Sequence, residues 1–268
     1  MKLNNHPRCP GLDRVIDPFP KAYLCPRCGN EIEIWSDEQI TKCSSCNTVI
    51  QNESSQFDEG VKNSSSPNGN EIARILKELV NLALKLGASG ATAISAKDIS
   101  VEDDLANLCR EPHCENYGLS LSCPPHVRGP LIFREWLRVM EHAVIIKIDV
   151  PIEILHSDER RDIMRVLHEI VAEIESSAVG YGYSNSKAFA GGSCKKIFCR
   201  DDPGCRVLIE GGECRHPQHA RPSMSGFGVN VSKLMRVTEW NMKRDVNVNK
   251  DDINRASTGM VCGLVLIG

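Results

Sequence analysis

AVIIKIDV, residues 143–150, is a run of β-branched and apolar residues of strand length, and the segments on either side of it decide the fold. Before it, Gly129-Pro130 places proline where a helix begins, and the pattern continues through Trp136 and Met140. After it, Ser157, Asp158 and Glu159 offer a cap and acidic residues at the front of a long helix. The apolar stripe of that helix reads Ile163, Val166, Leu167, Ile170 and Ile174. Further out, EIARILKELVNLALKLG puts Ile72, Ile75, Leu76, Leu79, Ala83 and Leu86 on one helical face, with Gly87 as the stop. ATAISA, SKAFAG and VCGLVLI read as strands, and residues 231–242 carry helical spacing through Leu234, Met235 and Thr238. Helices alternating with strands predict an α+β or α/β body: a sheet of about four strands, helices packed on it, and loops carrying cysteine.

Those loops hold most of the chemistry. Cys194, Cys199, Cys205 and Cys214 fall in one stretch broken by Gly and Pro, and Cys109, Cys114 and Cys123 in a second that ends in Cys-Pro-Pro-His. Free cysteine is often buried in cores, but polar, Gly- and Pro-rich loops are poor core, and several soft thiolates together suit a soft metal centre. Cys262, inside VCGLVLI, reads as core instead, and Cys9 is open to either reading. The two loops echo each other. One runs Cys109-Arg110 to Cys114 and then Cys123, the other Cys199-Arg200 to Cys205 and then Cys214, each with Pro shortly before the second cysteine. In this alignment Cys194 falls opposite Asp104, so the first loop has three thiolates and an open or oxygen-filled fourth position. Asp103, Asp104, His113, His126, Cys9 and Cys262 are the alternatives for that position. A closed four-thiolate site suits electron transfer, whereas an open one can bind a further ligand.

Arg206, Arg215 and Arg221, with His216 and His219, put positive charge beside the four-cysteine loop or form a solvated basic surface. His126 reads as a surface histidine, and His168, beside the stripe of its helix, as exposed.

The first 50 residues read as a separate zinc ribbon. Cys25-Pro-Arg-Cys28 and Cys43-Ser-Ser-Cys46 are two knuckles that complete a tetrahedral four-sulfur site for Zn2+, with iron in such a site as the minority reading. EIEIW alternates as a ribbon strand does, with a turn near Ser36-Asp37. Residues 51–70, rich in Ser, Asn and Gly, read as a flexible linker to a body over 71–268.

With 268 residues the chain has enough core to fold without covalent staples, so 13 cysteines need another explanation. No secretory signal and no membrane-spanning run of roughly 20 apolar residues is visible, which points to a cytoplasmic protein whose clustered thiols hold metal. A net charge of −3 and few clustered basic residues make nucleic acid an improbable partner. No phosphate-binding Gly loop, nucleophile elbow or His-Glu zinc motif supports ATP hydrolysis or ordinary hydrolase chemistry.

Cys109 and Cys114 followed by Tyr117-Gly118 and Cys123-Pro124-Pro125, together with Cys214-Arg215-His216-Pro217 running into Ala220-Arg221-Pro222-Ser223-Met224, resemble an uncharacterised family of predicted metal-binding proteins. That family is common in anaerobic bacteria and archaea and is known only as a domain of unknown function. The resemblance spans Ile72 to Gly268 and excludes the ribbon. Ser225-Gly226 and Gly228-Val229-Asn230-Val231 stand where the family usually has Glu-Ala and Gly-Ile-Asp-Val, and the step from Cys194 to Cys199 is wider than usual. The resemblance implies metal or iron–sulfur binding without naming a reaction. The expectation is thus an iron–sulfur redox protein with one or two 4Fe–4S clusters in the body and Zn2+ in the head, serving a redox partner protein. Whether the open site also makes it an enzyme is left undecided, and a zinc-organised scaffold or adaptor is the alternative.

Overall fold

The computed structural model describes residues 20–24, 28, 31–35, 40–46, 48–51, 69–240 and 258–268. They form two units, a small one within Arg14–Asn70 and a large one over Glu71–Gly268. The small unit is two antiparallel hairpins: β1 (Pro20–Leu24) with β2 (Glu31–Trp35), and β3 (Ile40–Lys42) with β4 (Val49–Gln51). Alternation in β2 is as expected, with Ile32 buried and Glu33 exposed. The Ser36-Asp37 turn, Cys9, Cys25 and all of the proposed linker except its two ends lie outside the described residues; those ends belong to β4 and to the first helix of the body.

In the large unit, α1 (Gly69–Lys85) precedes β5 (Gly90–Ser95); α2 (Asp103–Asn107), the first cysteine loop and α3 (Gly129–Val139) lead to β6 (His142–Pro151). After the short α4 (Ile152–Leu155), α5 (Arg160–Gly180) precedes β7 (Lys187–Phe189). The second cysteine loop follows, carrying α6 (Cys194–Phe198) and α7 (Arg206–Glu210), and then α8 (Val231–Val237) and β8 (Thr258–Ile267). The sheet runs β5-β6-β8-β7 with every pair antiparallel, so the body is α+β. The order is symmetric about the central pair. Each half runs helix, edge strand, cysteine loop, helix, central strand, so the echo between the loops is repeated in the topology around them.

Both faces of β6 are buried over residues 143–146, which is why AVII does not alternate, whereas beyond it Lys147 and exposed Asp149 alternate with buried Ile148 and Val150. Val144, Ile146, Ile148 and Val150 pack with Val261, Val265 and Ile267 against Leu79 and Ala83 of α1 and Leu167, Val171 and Ile174 of α5. Phe189 belongs to a second cluster, where its ring meets Phe133 and Trp136 of α3 and Phe227, with centroids 5.0–6.0 Å apart.

Several expectations shift. Ser157 does not cap α5: its Oγ accepts the Glu159 N–H and donates to the Ile154 carbonyl, closing the turn out of α4. Val166 and Leu86 are exposed, and Val171 and Ala178 take up the buried stripe. His168, read as exposed, is wholly buried. Leu167 and Ile170 flank the position, and the loops pack over this part of the helix, covering a polar residue the stripe did not include. The last helix ends at Val237, with Thr238 as its cap.

Candidate metal centre

β5 and β7 run in opposite directions, so their cysteine loops leave opposite ends of the sheet. Backbone bonds bring the loops back together. Pro222 accepts from the Ala190 N–H at 3.0 Å, Met224 donates to the Ala190 carbonyl at 3.1 Å, and Ser223 donates to the Ser122 carbonyl at 2.9 Å. The Arg221-Pro-Ser-Met224 segment is therefore a buried strap tying the start of the second loop to the end of the first. Glu102 N–H to Gly228 O at 2.8 Å and Asn230 N–H to Ser100 O at 2.9 Å add a second clasp.

Cys194, Cys199, Cys205 and Cys214 line one cavity, together with Ser120, Phe198, Arg215 and His216. Cys194 opens α6 and Cys199 caps it; Cys205 caps the start of α7. Arg215 knits the rest, reaching Asp202 at 3.5 Å and the Gly204 carbonyl at 3.4 Å, while Lys195 donates to the carbonyls of Cys199 and Asp202. Burial pushes the Cys194 thiol up to about 12, against the pull of the Ser122 and Ser120 hydroxyls. Burial also raises Cys199, with Asp202 and Cys214 adding to it and Arg215 opposing, and raises Cys214 against the His216 N–H that points at its sulfur from 3.4 Å. These thiols are protonated without metal, and a bound metal would displace those protons.

In the first loop, burial raises Cys109, followed by its neighbours Cys114 and Cys123. Cys114 N–H bonds to Cys109 O at 3.0 Å, and Asn116 Nδ2 stands 3.9 Å from Cys114 Sγ with its Oδ1 buried and unpartnered. Among the proposed fourth ligands, Asp103 is engaged by both terminal nitrogens of Arg134, His126 meets the Gly118 carbonyl at 3.3 Å, and His113 lies against Tyr117. Cys262 sits within β8 with its sulfur on the Gly263 carbonyl; burial alone pushes it up to about 12, so it is core. Ser122 Oγ stands 3.9 Å from Cys123 Sγ and 3.1 Å from Cys194 Sγ, so one hydroxyl touches a cysteine of each loop.

Arg221 differs from its sequence reading as either a loop charge or a solvated one. It is buried and paired with Glu175, although its charge still favours the Cys214 thiolate. The sequence reading missed three buried hydroxyls, Ser120, Ser122 and Ser193. The signal was present: Ser122-Cys123 and Ser193-Cys194 set a serine directly before a cysteine in each loop. Phe198, stacked on His216 with centroids 5.3 Å apart and met edge-on by His168, was missed as well.

In the small unit the sulfurs of Cys28, Cys43 and Cys46 all lie within 4.8 Å of one another, with Cys28 and Cys43 at 3.6 Å. Four sulfurs about 2.3 Å from one tetrahedral zinc stand about 3.8 Å apart, so this group has single-ion spacing. Cys43 N–H to Thr48 O at 3.0 Å closes its knuckle. Among the described residues no other such group is drawn this close.

Among the described residues no helix is long and apolar enough to cross a membrane. The model of the family described as "Predicted metal-binding protein (DUF2284)" matches residues 92–267, more than half of the chain, and the chain belongs to that family. No curated protein and no solved structure matches it.

Proposed function

We propose that this metal-binding protein is an iron–sulfur redox protein, with Cys194, Cys199, Cys205 and Cys214 as ligands of a 4Fe–4S cluster. Cys109, Cys114 and Cys123 hold a second cluster with one open coordination position, and Cys25, Cys28, Cys43 and Cys46 hold Zn2+ in the head. The observation that carries the reading is the one cavity lined by all four thiols of the second loop. The donor set fits: four soft sulfurs, with the His216 N–H and the charge of Arg215 directed at anionic ligands. When bound, the cluster supplies one-electron transfer. The residues around it bind it, offset its negative charge and limit water, and a redox partner protein in the cytoplasm of an anaerobe completes the path.

The test is anaerobic purification with iron, sulfide and zinc analysis and dithionite titration of the visible spectrum. Brown protein that bleaches on reduction, and a Cys205→Ser variant that loses iron, are the expected results. Colourless protein carrying only zinc makes the sites structural and the protein a scaffold. For the open site, adding a thiol or partner should alter the EPR signal of the reduced cluster; indifference to every added ligand removes that part of the proposal.

A further inference from the structure

Ser122 stands next to Cys123, yet its hydroxyl serves the other loop. The side chain is fully buried, and its Oγ donates to Cys194 Sγ at 3.1 Å and accepts the Cys194 N–H at 3.4 Å. It lies 3.0 Å from Ser120 Oγ, which lies 3.4 Å from Ser193 Oγ. A serine has one hydroxyl proton. Because that of Ser122 is spent on the sulfur, Ser122 can only accept at its contact with Ser120; the Ser120 hydroxyl also faces Cys194, and Ser193 stands behind it. The result is a buried cluster of three hydroxyls, Ser193, Ser120 and Ser122, gathered beside Cys194, with Ser122 as the donor 3.1 Å from its sulfur. The Ser122 carbonyl is held in turn by the Ser223 N–H at 2.9 Å, which anchors to the strap the backbone that carries the donor.

We infer that Ser122 is a positioning residue through which the first cysteine loop sets the reduction potential of the centre built by the second. The inference rests on the iron–sulfur reading of that centre. Adding an electron makes the ligand sulfurs more negative, and a hydrogen-bond donor aimed at one of them favours the reduced form. The donor is delivered across 72 residues of sequence from the loop that carries Cys109, Cys114 and Cys123. A shift in the first loop therefore moves the Ser122 hydroxyl relative to Cys194, and with it the potential.

The experiment is an anaerobic redox titration, followed by EPR, of full-length protein, Ser122→Ala and Ser120→Ala, each with iron and sulfide analysis. Ser122→Ala is expected to keep its iron and to show a more negative potential for one cluster. Ser120→Ala, which leaves the Ser122 contact in place but removes the neighbouring first-loop hydroxyl that also faces Cys194, is expected to show a smaller shift in the same direction. An unchanged potential in Ser122→Ala with iron retained overturns the inference and leaves the cluster assignment standing. If Ser122→Ala loses its iron, the Ser120→Ala titration decides: a negative shift supports the inference and no shift overturns it. Wild-type protein without iron overturns the cluster reading and this inference with it.

Discussion

Glu175 of α5 holds Arg221 of the strap at 2.9 Å in the most buried ion pair among the described residues, their side chains 13% and 7% exposed. The other carboxylate oxygen accepts the Ala188 N–H at 2.8 Å, and Arg221 Nη1 donates to the carbonyls of Pro217 and Ala220. One helix thereby positions the edge strand that leads into the four-cysteine loop and the segment that leaves it. Removing one partner of a buried pair strands the other's charge. Arg221→Ala should lower the unfolding free energy by about 3–5 kcal/mol in denaturant titrations. Arg221→Lys should recover little of it, because an ammonium cannot reproduce the planar set of contacts. A loss under about 1 kcal/mol would show that the strap is held by other contacts.

His168 makes stability fall in mild acid. Its Nδ1 accepts the Arg221 N–H at 3.2 Å, so the ring proton sits on Nε2, which donates to the Gly191 carbonyl at 3.2 Å. Burial pushes its pKa from 6.5 to about 4. The folded state binds the neutral ring and the unfolded state takes a proton below pH 6.5, so the contribution is complete above 6.5 and is lost as pH drops toward 4. The full loss is about 3 kcal/mol. Unfolding of metal-free protein between those limits should show this slope, and His168→Gln should flatten it. A parallel slope in the variant would assign the acid sensitivity to other groups.

Thiol chemistry should sort the cysteines by environment. Cys262, closed within the sheet and with its thiol raised to about 12, should resist alkylation until the protein unfolds, while exposed Cys28 reacts in metal-free protein. Metal loading should protect Cys194, Cys199 and Cys214, and because burial has raised all three, it should weaken as pH falls. Mass spectrometry of labelled peptides with and without metal reads both effects. Rapid labelling of Cys262 in folded protein would contradict its placement.

Gly228 should not tolerate a side chain. Its φ is +71°, and an added Cβ would stand 2.3 Å from the Glu102 carbonyl oxygen, at the clasp where Glu102 N–H meets Gly228 O. Gly228→Ala should cost at least about 1 kcal/mol and should reduce the metal bound per chain, since that clasp helps to join the loops. A fully stable, fully loaded variant would mean that the Arg221–Met224 strap alone suffices.

Elements with a clear period were legible. AVIIKIDV lies in the central strand, EIARILKELVNLALK in α1, and VCGLVLI in β8, because burial on one or both sides of a sheet dictates composition residue by residue. The edge strand was weaker in sequence and is only three residues long in the fold. His168 and Arg221 were misjudged for one reason. A polar residue looks solvated in sequence, and only the partners that satisfy it, Gly191 and the Arg221 backbone for one and Glu175 for the other, reveal that it is buried.

By itself the sequence determined which residue types could take part: thiols clustered in polar, Gly- and Pro-rich loops, repeated in two halves around two apolar strands. Tertiary structure alone decided that loops leaving opposite ends of the sheet meet and that Ser122 of one touches Cys194 of the other. Hydrogen bonds between Ser223 and Ser122, or Glu102 and Gly228, use backbone groups that every residue carries, so nothing in residue identity announces them.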